Sequence, residues 1–104
     1  MDISIAEKAN DFIKANASKY GEMVAHREDL DEALKVTESR LMNETDGAEH
    51  VKRSYARSHR DYQEILDGRR AARSEEIRLK LLIQAAQNQF EMWRSWSSAN
   101  KKGA

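Results

Sequence analysis

Histidine is the residue of this chain best suited to bind a transition metal, and the three histidines are not spaced for that purpose. His26, His50 and His59 form no His-Glu-x-x-His motif and none of the Glu-x-x-His pairs that di-iron helical bundles use. The chain has no cysteine, which excludes thiolate ligands as well. The sequence therefore predicts no metal site and no cofactor.

Four carboxylates stand close together in the first half of the chain and could in principle form an acid and base pair. They are Glu28, Asp29, Asp31 and Glu32. At helical spacing these side chains spread over nearly half of the helix circumference, so a solvated face is the stronger interpretation. The chain also has no glycine-rich phosphate loop and no nucleophile elbow. We therefore expect a protein that is not an enzyme, unless subunits assemble a site between them.

Basic side chains are concentrated in the second half of the chain. Residues 1–50 hold 12 acidic and 6 basic residues, whereas residues 51–104 hold 6 acidic and 12 basic ones. Two antiparallel arms could neutralise each other, or the basic arm could follow a phosphate backbone. Interleaved acids favour a solvated or intersubunit salt-bridge face as the alternative to nucleic-acid contact. The nucleic-acid-binding candidates are Lys52, Arg53, Arg57, Arg60, Arg69, Arg70, Arg73 and Arg94.

The stretch from Phe90 to Trp96 holds three aromatic residues and an arginine. Tryptophan and arginine are enriched among the residues that dominate binding energy at protein interfaces. One interpretation is that Phe90 and Trp93 only close the end of a helical bundle against Ala9 and Phe12. Trp96 is harder to place in that way, so we expect it to contact another chain.

The elements that must position these side chains are helices. The chain is 39% hydrophobic and 35% charged and contains no proline, which is typical of long solvated helices. We predict helices over about 3–43, 47–57 and 59–99, a tail over 100–104, and one helical domain over 1–104. Asp46 and Ser58 are the predicted N-caps of the second and third helices.

Apolar residues in each long helix recur at alternating spacings of three and four, which predicts two heptad seams that pack together. An antiparallel register would set Arg27 opposite Glu76, one cation against one anion. Asn16 interrupts the first seam, where it either fixes the register or lies in a frayed, solvated turn. The first seam consists of Ala9, Ile13, Asn16, Tyr20, Met23, Arg27, Leu30, Leu34, Thr37 and Leu41. The second consists of Tyr62, Ile65, Arg69, Ala72, Glu76, Leu79, Ile83, Ala86, Phe90, Trp93 and Ser97.

Further apolar residues of the third helix widen its apolar face beyond what one partner helix covers. A small chain with so thin a core usually oligomerises, and a dimeric four-helix bundle is the simplest arrangement. The expected fold is therefore a long antiparallel helical hairpin, coiled-coil-like, that assembles into an oligomeric helical bundle with itself as partner. The interface candidates are Ile77, Leu81, Leu82, Phe90, Met92, Trp93 and Trp96.

Nothing in the chain indicates a membrane or a secretory route. The first nine residues lack a basic segment followed by an apolar run, and no window approaches the roughly 18 apolar residues of a membrane span. The lack of cysteine suits a reducing compartment. We therefore expect a cytoplasmic protein with no membrane partner.

The order of these features resembles a group of small helical proteins encoded by tailed bacteriophages and prophages near genes for DNA replication, single-strand annealing and recombination. The resemblance covers residues 25–102. It rests on Thr-Asp-Gly-Ala-Glu at 45–49, Ala-Arg-Ser at 56–58, Tyr62, and Phe-Glu-Met-Trp-Arg-Ser at 90–95. It implies a phage origin, a helical fold and the cytoplasm of an infected or lysogenic bacterium, and it brings no catalytic residues.

Three functional hypotheses follow from these observations. The leading one is a non-enzymatic accessory protein of phage DNA replication or recombination, which binds nucleic acid or a DNA-processing protein. The second is a protein-interaction module, an inhibitor or adaptor of a host protein that docks through its tryptophan-rich helix end. The third is a structural virion component.

Overall fold

The computed structural model describes residues 2–103, with side chains described for residues 2–100. Within this described range there are three α-helices, α1 (Ile3–Met42), α2 (Glu49–Ser58) and α3 (Arg60–Gly103). Residues 2–103 contain no β-strand. This confirms the prediction of an all-helical protein with two long helices and a short middle one.

The helix bounds differ most from expectation at the end of the chain. α3 continues to Gly103 instead of ending near residue 99, because no glycine or proline intervenes before that residue. The expected tail over 100–104 is therefore helical up to Gly103. Met1 and Ala104 lie outside the described residues.

The predicted seams correspond to the buried sides of the long helices. Every position of both seams is buried or half-buried, and Ala9, Leu41 and Leu79 are among the most deeply buried residues. Asn16 is half-buried, and its amide donates to the Phe12 carbonyl of its own helix (2.9 Å). The apolar periodicity therefore located the packed sides of both helices correctly.

Both predicted N-caps are wrong. The N-cap of α2 is Ala48, without a side-chain hydrogen bond, because Gly47 turns the chain with a φ of 123° and delays the helix beyond Asp46. The N-cap of α3 is His59, whose Nδ1 accepts from the Asp61 backbone N–H (3.0 Å). The Ser58 hydroxyl instead donates to the Ser54 carbonyl within α2 (2.7 Å).

The start of α1 is capped by Asp2, which was not among the predicted N-caps. The Asp2 carboxylate accepts from the Ser4 backbone N–H (3.1 Å), and the Asp2 carbonyl accepts from the Ile5 N–H (3.1 Å). The hydrogen bond from Ser4 lowers the pKa of Asp2 from its ordinary value of 3.8. Asp2 is therefore a charged N-cap, which suits the positive end of the helix dipole.

The chain divides into two compact units, and α1 and α3 each contribute to both. Unit 2 consists of residues 23–75 and includes α2. In it, α1 and α3 run antiparallel, since Arg40 contacts Asp61 while Asp31, earlier in α1, contacts Arg69, later in α3. These two contacts are shifted by two or three residues, less than one helical turn, from the predicted register that sets Arg27 opposite Glu76.

Unit 1 consists of residues 1–22 and 76–104. In it the beginning of α1 packs on the second half of α3, where Ala6, Ala9, Leu79 and Ala86 are buried. Most of these buried side chains are small, so the core of this unit is thin. No helix in residues 2–103 carries an apolar stretch that could cross a lipid bilayer.

Candidate interaction surface

Most of the candidate nucleic-acid-binding cations are already neutralised inside the chain. In unit 2, Arg60 binds Glu64 (2.8 Å) and Arg70 binds Asp67 (3.6 Å) along α3. In unit 1, Arg94 binds Glu91 (3.2 Å). These pairs are exposed and therefore weak. Each one nevertheless places a carboxylate beside a cation to which a phosphate group would have to bind.

Arg53 and Arg57 anchor α2 to α1. Both guanidinium groups donate to the carboxylate of Glu38, Arg53 at 3.4 Å and Arg57 at 3.0 Å, and only 20% of the Glu38 side chain is exposed. The Glu38 carboxylate raises the pKa of Arg57 above its ordinary value. Ala56, between the two arginines, is fully buried. These two candidates therefore hold the short helix in place.

Arg69 lies in the second seam and joins the two long helices in unit 2. Its guanidinium donates to Asp31 (2.8 Å), which also accepts from Arg27 (3.0 Å). Hydrogen bonds from Arg69 and then from Arg27 lower the pKa of Asp31 from its ordinary value of 3.8. Of the remaining candidates, Lys52 is half-buried and Arg73 has an interaction within the chain.

The predicted register pair lies among buried positions. Glu76 is 4% exposed, and Arg27 is half-buried and hydrogen-bonded to Asp31. Both residues take part in further interactions within the chain. The pairing of Arg27 with Glu76 stays a prediction.

Three of the four carboxylates in the acidic cluster of α1 are on a solvated surface, and the fourth, Asp31, is half-buried and paired as described above. Glu28, Asp29 and Glu32 are exposed, and Glu32 forms an exposed ion pair with Lys35 (3.4 Å). Among the described residues, no group of three or more histidine, aspartate or glutamate side chains is placed to hold a metal ion.

The aromatic residues of α3 fall into two environments within unit 1. Phe90 and Trp93 are half-buried and stack at a tilt, with ring centroids 6.2 Å apart. Trp96, one turn beyond, is 44% exposed. An exposed indole at a helix end presents a large apolar area that can anchor a partner.

Of the remaining interface candidates, Leu82 lies beside the second seam, whereas Leu81 lies on the opposite side of α3. Leu81 stands two residues from both Leu79 and Ile83, which turns it about 200° around the helix from either. Leu81 is accordingly 59% exposed, whereas Leu79 is 3% exposed. The second half of α3 therefore has two apolar sides, one packed on α1 and one exposed.

We call this exposed side the outer stripe. Its residues are separated by three or four positions, as one side of a helix requires. Ile77, Leu81 and Met92 are 42%, 59% and 59% exposed, and the smaller members are exposed as well. The spacing itself was the signal that could have separated this stripe from the seam. The outer stripe consists of Ile77, Leu81, Ala85, Asn88, Met92, Ser95 and Ala99.

A shallow groove of about 300 Å³ lies where α1 meets α3 in unit 1, and it touches the outer stripe at Ala85. Lys8, Ala9 and Phe12 of α1 form one wall of the groove. The other wall is formed by Leu82, Ala85, Ala86 and Gln89 of α3. Apart from Lys8 this lining is uncharged, so the groove continues the apolar surface of the outer stripe.

The comparisons with known proteins find no match, either among family models, among curated proteins or among solved structures. The geometry described above is therefore the basis for the functional argument.

Proposed function

We propose that this protein is a non-enzymatic interaction module, a helical protein that assembles with itself and docks on another protein through the tryptophan end of α3. The observation that carries the proposal is the exposure of large apolar side chains on the second half of α3. Leu81, Leu82, Met92 and Trp96 are each at least 40% exposed in unit 1. Contiguous apolar surface on a small protein marks an interaction site.

The distribution of ion pairs supports protein contact over nucleic-acid contact. Six of the eight candidate cations bind a carboxylate of the same chain. A phosphate backbone would have to displace these carboxylates, which lowers the gain from each contact. The resemblance to phage proteins adds the expectation that the docking partner is a DNA-processing protein of a bacteriophage.

Nucleic-acid binding is the second candidate, and the excess of basic residues in the second half of the chain favours it. DNA titrations at two salt concentrations separate the two functions. A phosphate-driven binder must lose affinity steeply as salt rises, and alanine at Arg69, Arg70 and Arg73 must weaken it on all sequences alike. We expect no such binding; salt-sensitive affinity for DNA would favour the second candidate.

Docking through Trp96 is tested with the replication, annealing and recombination proteins of a tailed bacteriophage. We expect one of them to co-elute with it in gel filtration and to lose at least tenfold in affinity on Trp96→Ala, the effect of removing an interface anchor. Tyr55→Ala is the matched control, because Tyr55 is a similarly exposed aromatic residue in unit 2. A Trp96→Ala protein with unchanged affinity would contradict the assignment of Trp96 as the anchor.

A further inference from the structure

The centre of the outer stripe lies in the longest stretch of the chain without a charged residue. Residues 81–90 contain no aspartate, glutamate, lysine, arginine or histidine, although 35% of the chain is charged. Seven of these ten residues are exposed. Loss of charge from an exposed surface is characteristic of the core of a protein interface.

The four central residues of the outer stripe are spaced symmetrically about a point midway between Ala85 and Asn88. A small residue and a short polar one stand at the centre, and the larger Leu81 and Met92 follow at equal distances on either side. A two-fold contact pairs positions at equal distances from its axis, so Leu81 meets Met92 and Ala85 meets Asn88, large against large and small against small. A foreign partner imposes no such symmetry.

Charges at the two ends of the uncharged stretch are complementary under the same symmetry. Lys80 precedes the stretch and forms no ion pair among the described side chains, while the exposed Glu91 follows it. In an antiparallel pair, Lys80 and Glu91 of the second copy are separated by about 3 Å along the helix axis. A parallel pair would instead set the two Lys80 residues at one level and the two Glu91 residues at another, and so would bring no opposite charges to the same level.

We propose that a second copy of this chain covers the outer stripe, with the two α3 helices antiparallel and the two-fold axis between Ala85 and Asn88. Leu81 then packs against Met92 of the second copy, and Asn88 faces Ala85 of the second copy. A short polar residue in an otherwise apolar contact fixes register and orientation. This contact rests on the self-assembly in the proposed function and specifies its geometry.

The natural absence of cysteine makes a direct test possible, since any disulfide must come from an introduced thiol. An equimolar mixture of Leu81→Cys and Met92→Cys proteins, one carrying a tag that changes its mass, is oxidised and run on a non-reducing gel. We expect the mixed dimer only. Each variant alone gives little dimer, because its two thiols are about 16 Å apart along the axis.

Val36→Cys is the control for random collision, because Val36 is 66% exposed on α1 in unit 2. Self-linked Leu81→Cys would indicate a parallel pair and overturn the proposal. Equal linking of either stripe variant to Val36→Cys, or no linking in any mixture, would overturn it as well.

A charge reversal gives a second measurement that introduces no thiol. Lys80→Glu places two like charges near each other at both ends of the contact and should raise the dimer Kd roughly fivefold in sedimentation equilibrium. Glu91→Lys in the same chain restores the opposite charges and should recover the affinity. A Kd that is unchanged by Lys80→Glu contradicts the antiparallel contact. A monomer that still binds its partner protein through Trp96 ends this proposal and leaves the docking function intact.

Discussion

His59 connects α2 to α3 through three different contacts. Its backbone carbonyl accepts the first hydrogen bond of α3, from the Gln63 N–H (3.0 Å), while its Nδ1 accepts from the Asp61 N–H. Its ring also lies edge-on to Tyr55, with centroids 5.9 Å apart. One side chain thus satisfies a free amide of α3 and packs against α2, which is a reason for a histidine where serine or aspartate is usual.

We predict that His59→Ala lowers the free energy of unfolding by about 1 kcal/mol, because the Asp61 N–H loses its acceptor. Urea unfolding followed by circular dichroism measures the change. His59→Asn is the control, since asparagine keeps a cap acceptor while losing the ring contact with Tyr55. Equal losses for both variants would show that the ring contact, and not the cap, is what stabilises the junction.

At the scale of the helix, Gly47 and Gly21 have different structural roles. Gly47 adopts a φ of 123°, a conformation that side-chain-bearing residues rarely adopt, and so allows the turn into α2. Gly21 lies inside α1, and a Cβ built on it meets nothing within 4 Å. Of these two glycines, Gly47 is the one that its backbone conformation requires.

Gly21→Ala should therefore raise the free energy of unfolding by up to about 1 kcal/mol, the difference in helix propensity between the two residues. Thermal unfolding of the variant measures the gain. Gly47→Ala is the opposing control and should lower stability by about 1 kcal/mol or more, because alanine is strained at that φ. A destabilised Gly21→Ala protein would mean that α1 needs a bend or a close approach at this point.

The sequence predicted the helices and their packed sides better than it predicted the helix ends. A seam repeats over many turns, so a single exception such as Asn16 does not hide it. A cap depends on the backbone angles of one or two residues, and two adjacent residues, Ser58 and His59, could each accept the necessary hydrogen bond. Ile77, Leu81 and Met92 were predicted to widen the apolar face of α3, and their exposure and angular positions set them apart from the packed seam.

At the scale of the whole molecule, the interleaved acidic and basic side chains neutralise one another in ion pairs. For this reason, the sequence alone could not show which of the candidate nucleic-acid-binding cations are ion-paired within the chain. In the sequence, Arg57 and Arg69 look like members of a basic, phosphate-binding stripe. In the fold, Arg57 is ion-paired with Glu38 and Arg69 is ion-paired with Asp31. Which carboxylate reaches which guanidinium depends on how α1, α2 and α3 pack within unit 2.

These ion pairs make stability dependent on pH, with a sign fixed by the carboxylates whose pKa is lowered. The folded protein lowers the pKa of Asp31 below its ordinary value of 3.8, so the folded state favours the charged form. That stabilisation is fully present above the unfolded-state pKa and is lost as pH falls through the lower, folded-state pKa. Asp2 acts in the same direction at the start of α1.

We predict that the melting temperature falls as the pH is lowered from 5 to below 3, and that Asp31→Asn reduces this fall. The variant is less stable than the natural chain at neutral pH, because Arg69 and Arg27 lose a charged acceptor, and the two melting temperatures converge in acid. Asp29→Asn is the control, since Asp29 is an exposed neighbour with no ion pair among the described side chains. An Asp31→Asn protein with the full acid dependence of the natural chain would show that other carboxylates are responsible for it.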